Sequence, residues 1–140
     1  MKNLIKLIEE SEGWRSKPYY CSENYPTVGF GFKIGDKDAP LPSFTLPRAA
    51  GEVWLVEILK ELTFSLSSYH WFNSLNENRQ NIILSMAYQM GVYGLLQFRN
   101  MIKAILEDNF QLAADEMLDS RWAKQTPERA IHHSTQFIIG

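Results

Sequence analysis

The sequence predicts an α+β fold, mainly α, in which a small β-hairpin lobe and a helical lobe are joined by a long helix. Three observations lead there. Apolar residues recur at helical spacing before residue 12 and again after residue 69. Between residues 19 and 35 the period drops to two. A turn-rich stretch, GDKDAPLPSFTLP, then separates that β segment from a helix with an apolar stripe. With 140 residues, 45% hydrophobic and 13% aromatic, the chain suits one domain with a real core, in two lobes with a cleft expected between them.

The first element is a short amphipathic helix over residues 3–11, with Leu4, Ile5, Leu7 and Ile8 as its stripe. Asn3 is placed to cap it and Gly13 to end it. Glu12 then falls at the last turn, where the partial negative charge of the helix end does not favour a carboxylate. In the next segment Tyr25, Thr27, Gly29 and Gly31 alternate with Pro26, Val28, Phe30 and Phe32, which predicts a β-ribbon turned by Ser22, Glu23 and Asn24. Cys21 and Thr27 flank that hairpin, and the glycines leave one strand face without side chains.

The β-containing lobe thus covers about residues 13–45 and the linking helix about 46–69. Thr45 and Pro47 suit that helix's start, and Leu55, Ile58, Leu59, Leu62 and Leu66 suit its buried face. The helical lobe takes residues 70–140 together with the helix over 3–11. Its helices are expected at 76–90, ending at Gly91, then at 95–107, at 110–119, and from Pro127 to about Phe137. SRWAKQTPERA, residues 120–130, reads as a loop running into a cap at Thr126. Trp54, Trp71, Phe72, Phe98 and Phe110 sit at core positions of these helices.

Composition excludes several classes. A net charge of −2 without a basic run argues against nucleic acid as a partner. No run approaches the roughly 20 apolar residues of a membrane span, and the N-terminus lacks the pattern of a signal peptide. A single cysteine forms no intrachain disulfide. His132 and His133 are adjacent on a helix, point different ways and make a poor metal pair, a partly wet face being their commoner role; His70 is isolated. Neither a metal nor a cofactor is expected.

The chemistry-bearing cluster is EGWRSKPYYCSENYPTVGFG, residues 12–31. Taken singly its members are ordinary: a carboxylate after a helix is usually solvated and a lone thiol is usually packed. Together Glu12, Cys21 and Thr27 supply one proton donor and two groups able to hold a water. The pattern is E, eight residues, C, five residues, T, followed by YPTVGFG; further on come YQMG at residues 88–91 and SRWAKQTPERA. These motifs, in this order, resemble the T-even-type phage lysozymes, the endolysins of glycoside hydrolase family 24, from about residue 4 to the C-terminus and thinly over 33–70.

The resemblance implies a lysozyme-like two-lobed fold and a muramidase that hydrolyses the β-1,4 bond between N-acetylmuramic acid and N-acetylglucosamine in bacterial peptidoglycan. It implies Glu12 as general acid, Cys21 in place of a second carboxylate, Thr27 beside the attacking water, and Arg129 as the arginine that serves the catalytic glutamate. Tyr88, Gly31, Phe32, Gln89, Met101 and Glu116 fall at its substrate-binding positions. Phe32 stands where relatives carry a histidine that salt-bridges to an aspartate, so that stabilising pair is expected to be missing; Met101 and Glu116 replace polar residues of the relatives' sugar cleft, so subsite preference is expected to differ. The implied setting is a monomer in the host cytoplasm, released to the cell wall through a holin-type pore.

Two mechanisms remain open at this point. A neutral thiol would place the water with Thr27 and invert the anomeric carbon; an ionised one could attack and retain configuration. Other classes are a catalytically silent peptidoglycan-binding or virion domain, a lytic transglycosylase, and a thiol-dependent peptidase or amidase.

Overall fold

A computed structural model describes residues 1–140. It is α+β and mainly helical, in the order α1 (Lys2–Glu12), β1 (Arg15–Tyr20), β2 (Pro26–Gly29), β3 (Phe32–Lys33), α2 (Arg48–Leu66), α3 (His70–Asn73), α4 (Glu77–Leu96), α5 (Arg99–Leu106), α6 (Phe110–Leu118), α7 (Arg121–Gln125) and α8 (Pro127–Ile139). The chain divides into two compact units, Met1–Leu59 and Lys60–Gly140. This grouping counts α1 with the sheet, a different division from the lobes expected above.

In the first unit the strands form one antiparallel sheet in the order β1-β2-β3. Thr27 lies in the central strand, opposite Tyr19 of β1 and Lys33 of β3. Between Arg15 and Tyr19 the pairing with β2 is irregular, because β1 carries more residues than the strand facing it. Aromatic packing holds the sheet's inner side: Phe30 lies 4.7 Å from Trp14 and 6.1 Å from Phe32, and Phe32 lies 4.3 Å from Trp54, centroid to centroid. Trp54 remains 37% exposed, so it lids this cluster rather than joining the core as its helical position suggested.

In this first unit two expected caps differ. α1 starts at Lys2 with Met1 as its capping position, which puts Asn3 inside the helix. At α2 the carbonyl of Pro47 accepts the first helical bond, from the N–H of Gly51 at 3.0 Å, so Thr45 lies outside the helix. Gly29 and Gly31 also act differently from expectation. Their φ values of 69° and 78° are left-handed, so Gly29 ends β2 and Gly31 lies in the turn to β3 instead of continuing a flat strand.

The second unit is all helical. Ile83, Met86, Leu95, Met101 and Phe137 are fully buried. Asn76 caps α4, accepting from the N–H of Arg79 at 2.9 Å. Gly91, with φ 80° and ψ 161°, breaks α4 at the expected place, although helix resumes after it. SRWAKQTPERA, expected as a loop, contains α7. Ser120 caps it by accepting from the Ala123 N–H at 3.1 Å, and Thr126 donates its hydroxyl back to the Trp122 carbonyl at 2.9 Å instead of capping α8. Trp71 and Phe72 are buried as expected, while Phe98 and Phe110 are half-buried.

Candidate active site

Glu12 is the last residue of α1, and Gly13 ends that helix in a left-handed φ of 71° with its N–H bonded to the Glu9 carbonyl at 2.9 Å. The Glu12 carboxyl lies over Gly31: a β-carbon built on that glycine would stand 2.6 Å from Oε2. The absent side chain is therefore the space that the acid occupies.

Cys21 and Thr27 are brought together by the hairpin. The Cys21 N–H donates to the Tyr25 carbonyl at 3.0 Å, the Asn24 N–H donates to the Cys21 carbonyl at 2.9 Å, and Asn24 takes the left-handed φ of 69° that the tight turn requires. The Tyr25 N–H then points at Cys21 Sγ, 3.4 Å away. Burial pushes the Cys21 thiol up, but backbone N–H groups of Tyr25 and Glu23, the Thr27 hydroxyl and the Lys33 charge outweigh it, and the pKa lies below its ordinary value. Thr27 is buried and donates its hydroxyl to the Tyr25 carbonyl at 2.7 Å. That hydroxyl has one hydrogen, so it serves a Cys21 thiolate only by turning away from Tyr25; at rest it offers lone pairs.

Tyr19 belongs to this group although its motif did not single it out. It faces Thr27 across the sheet, and the Arg15 guanidinium sits 4.3 Å from its ring centroid. Burial raises its phenol pKa, Arg15 lowers it, and the charges of Glu12 and Cys21 raise it. One side chain thus feels both Glu12 and Cys21. The signal that could have found it is the hairpin register, counted back from Thr27 through the turn.

Phe32, 3% exposed, packs its ring between Phe30 and Trp54. In the second unit Tyr88 is half-buried on α4. Gln89 accepts from the Trp122 indole N–H at 2.8 Å. Met101 and Glu116 line one pocket of about 250 Å³ with Phe98 and Trp122, Arg99 and Arg121 also contributing. Arg129 donates through Nη2 to the Ser85 carbonyl at 3.2 Å and to Ser85 Oγ at 3.1 Å.

Of the histidine pair, expected as a partly wet face, His133 is the dry member. It is fully buried, with Nε2 2.7 Å from Ser85 Oγ, while His132 beside it is exposed. Burial first, then the charges of Arg129 and His132, push its pKa down to about 3. Its face of α8 is turned inward, which adjacency in sequence does not reveal.

The phage lysozyme family model matches residues 9–132. "Probable T4-type lysozyme 2" of Dictyostelium discoideum is 36% identical over 163 aligned positions, covering all of this chain and 96% of that protein. The pre-baseplate central spike protein of Enterobacteria phage T4 is 27% identical over 99% of this chain. A peptidoglycan hydrolase of Pseudomonas phage phiKMV is 27% identical over 91% of this chain. The chain spans only 28% of the length of the spike protein and 14% of the phiKMV hydrolase.

Proposed function

This chain belongs to the phage lysozyme family, and from that premise we propose that it is a peptidoglycan hydrolase of the muramidase type, cleaving the β-1,4 bond between N-acetylmuramic acid and N-acetylglucosamine. The observation that carries the reading is the acid seated over Gly31 in the same unit as the paired Cys21 and Thr27. A wall-binding module needs no proton donor held against a bare glycine.

Hydrolysis develops oxocarbenium character at the anomeric carbon, and the leaving sugar oxygen needs a proton. Glu12 supplies it. Thr27 Oγ1, whose hydrogen is engaged by Tyr25, and Cys21 Sγ accept the two hydrogens of one water. The water's free lone pair is thereby aimed at the carbon. The bond from water to carbon forms as the glycosidic bond breaks, and the water's surplus proton leaves through Cys21 when ionised or through solvent. The product is inverted. The lowered thiol favours a second reading, attack by Cys21 sulfur to give a thioglycoside that water then opens with net retention.

Arg129 supports the reaction, as the family resemblance implies, and Tyr88, Gln89 and Glu116 contact the glycan, while the fully buried Met101 backs the pocket without touching it. The working setting is release from the host cytoplasm to the wall through a holin-type pore, ending in lysis. Mass spectrometry of digested peptidoglycan tests the activity, with Glu12→Gln as control. Free muramic acid reducing ends that vanish with the control are expected. Anhydro ends mean a lytic transglycosylase, cleaved peptide stems mean an amidase or peptidase, and equal clearing of permeabilised cells by both proteins means binding without catalysis. NMR of the first-formed anomer separates inversion from retention.

A further inference from the structure

We propose that Ser85 and His133 are positioning residues for Arg129, the buried imidazole accepting the Ser85 hydroxyl hydrogen and so turning that oxygen's lone pairs toward the guanidinium. The inference rests on the reading that Arg129 serves the reaction, and it deepens that reading.

Arg129 and His133 are four residues apart on α8, so they lie on one face of the helix, and both reach the same serine on α4. A guanidinium only donates. The 3.1 Å contact from Arg129 Nη2 therefore makes Ser85 Oγ an acceptor on that side. The hydroxyl's single hydrogen must go elsewhere, and His133 Nε2 stands 2.7 Å away. Ser85 and His133 are both 0% exposed, so no solvent competes for either atom.

For Nε2 to accept, the imidazole must be neutral with its proton on Nδ1. That nitrogen faces Nδ1 of His132 at 3.4 Å, on the exposed side of α8, where an acceptor is available. A charged His133 would turn Nε2 into a donor and set a second cation beside Arg129, and the lowered pKa agrees that it stays neutral. The carbonyl of Ser85 is the second acceptor for Nη2, at 3.2 Å. One residue thus grips the guanidinium through two oxygens, and the imidazole fixes which way one of them points.

The test has a spectroscopic arm and a kinetic arm. In the unmodified protein, nitrogen NMR of His133 should show a neutral ring with Nδ1 protonated and Nε2 bare at neutral pH; a proton on Nε2 overturns the proposal whatever the activity. In kinetics on peptidoglycan, His133→Val and Ser85→Ala should each lower kcat about tenfold, the size of one lost hydrogen bond to a charged group, with KM unchanged. The double variant should lose no more than either single one. His133→Gln, whose amide oxygen can accept, should recover most of the loss. Equal losses in His133→Val and His133→Gln, or losses that multiply, overturn it. If His133→Val does not fold, Ser85→Ala and the spectrum decide. Arg129→Ala and Glu12→Gln are run alongside: full activity in either means that the underlying reading has failed, and the ring's tautomer then judges the Ser85–His133 arrangement alone.

Discussion

The carboxyl of Glu12 occupies the volume that a side chain at Gly31 would fill, with Oε2 only 2.6 Å from the position of a β-carbon there. Gly31 also holds a φ of 78°, which an L side chain resists. Gly31→Ala should therefore act twice. It should lower stability by about 1–2 kcal/mol through the backbone and displace the acid, reducing kcat at least about tenfold. Thermal unfolding and turnover of peptidoglycan measure the two effects separately, and near-normal turnover would remove Glu12 from the catalytic role.

Cys21 gives a prediction about ionisation. The amides of Tyr25 and Glu23, the Thr27 hydroxyl and Lys33 favour the thiolate more than burial disfavours it. The rate of alkylation of Cys21 should rise with pH through a midpoint below that of a free cysteine, and Lys33→Met should move the midpoint upward. A midpoint at or above the free-thiol value would show that burial wins, and with it would go the thioglycoside route.

His133 gives a prediction about acid stability. Its folded pKa, about 3, is below the ordinary 6.5. Between these values the unfolded chain takes up a proton that the folded chain refuses, so the fold loses stability as pH falls through 6.5 and stops losing it below about 3. Above 6.5 both states are neutral at this group and it contributes no pH dependence. The slope from this one group is at most about 1.4 kcal/mol per pH unit. Urea unfolding at pH 7, 6, 5 and 4 should show a flatter acid limb in His133→Val than in the unmodified protein; parallel curves would contradict the burial of a neutral ring.

Gly91 interrupts α4 with φ 80° and ψ 161°, a region open almost only to glycine. No heavy atom lies within 4 Å of where its β-carbon would sit, so substitution meets strain and no clash. Gly91→Ala should cost roughly 1–3 kcal/mol. Chemical denaturation reads this directly, and an unchanged midpoint would mean that the break in the helix is not set by this residue.

Much of the site can be traced to local chemistry in the chain. Glu12 at a helix end, Gly13 as its stop, the Ser22–Asn24 turn and the meeting of Cys21 with Thr27 all follow from residue type and spacing within a few positions, because helix ends and hairpins are settled by neighbours in sequence. The motif order carried the family in the same way, and its match over residues 9–132 bears that out.

What only the tertiary structure decided lies where periodicity says nothing about partners. Trp54 is 37% exposed where its helical position suggested core, and His133 is fully buried where the adjacent pair suggested only a partly wet face. Whether a ring is covered depends on the element packed over it, and that element is remote in sequence. Ser85 and His133 lie 48 residues apart and meet only because α4 and α8 pack together. Tyr19 joins the acid and the thiol through strand register. The chain alone thus determined most of its elements, though not α3 or α7, and the local meeting of Cys21 with Thr27, since backbone preference and turn chemistry are short-range. Packing determined which groups became dry, neutral or charged, because burial and electrostatic fields are properties of the folded whole.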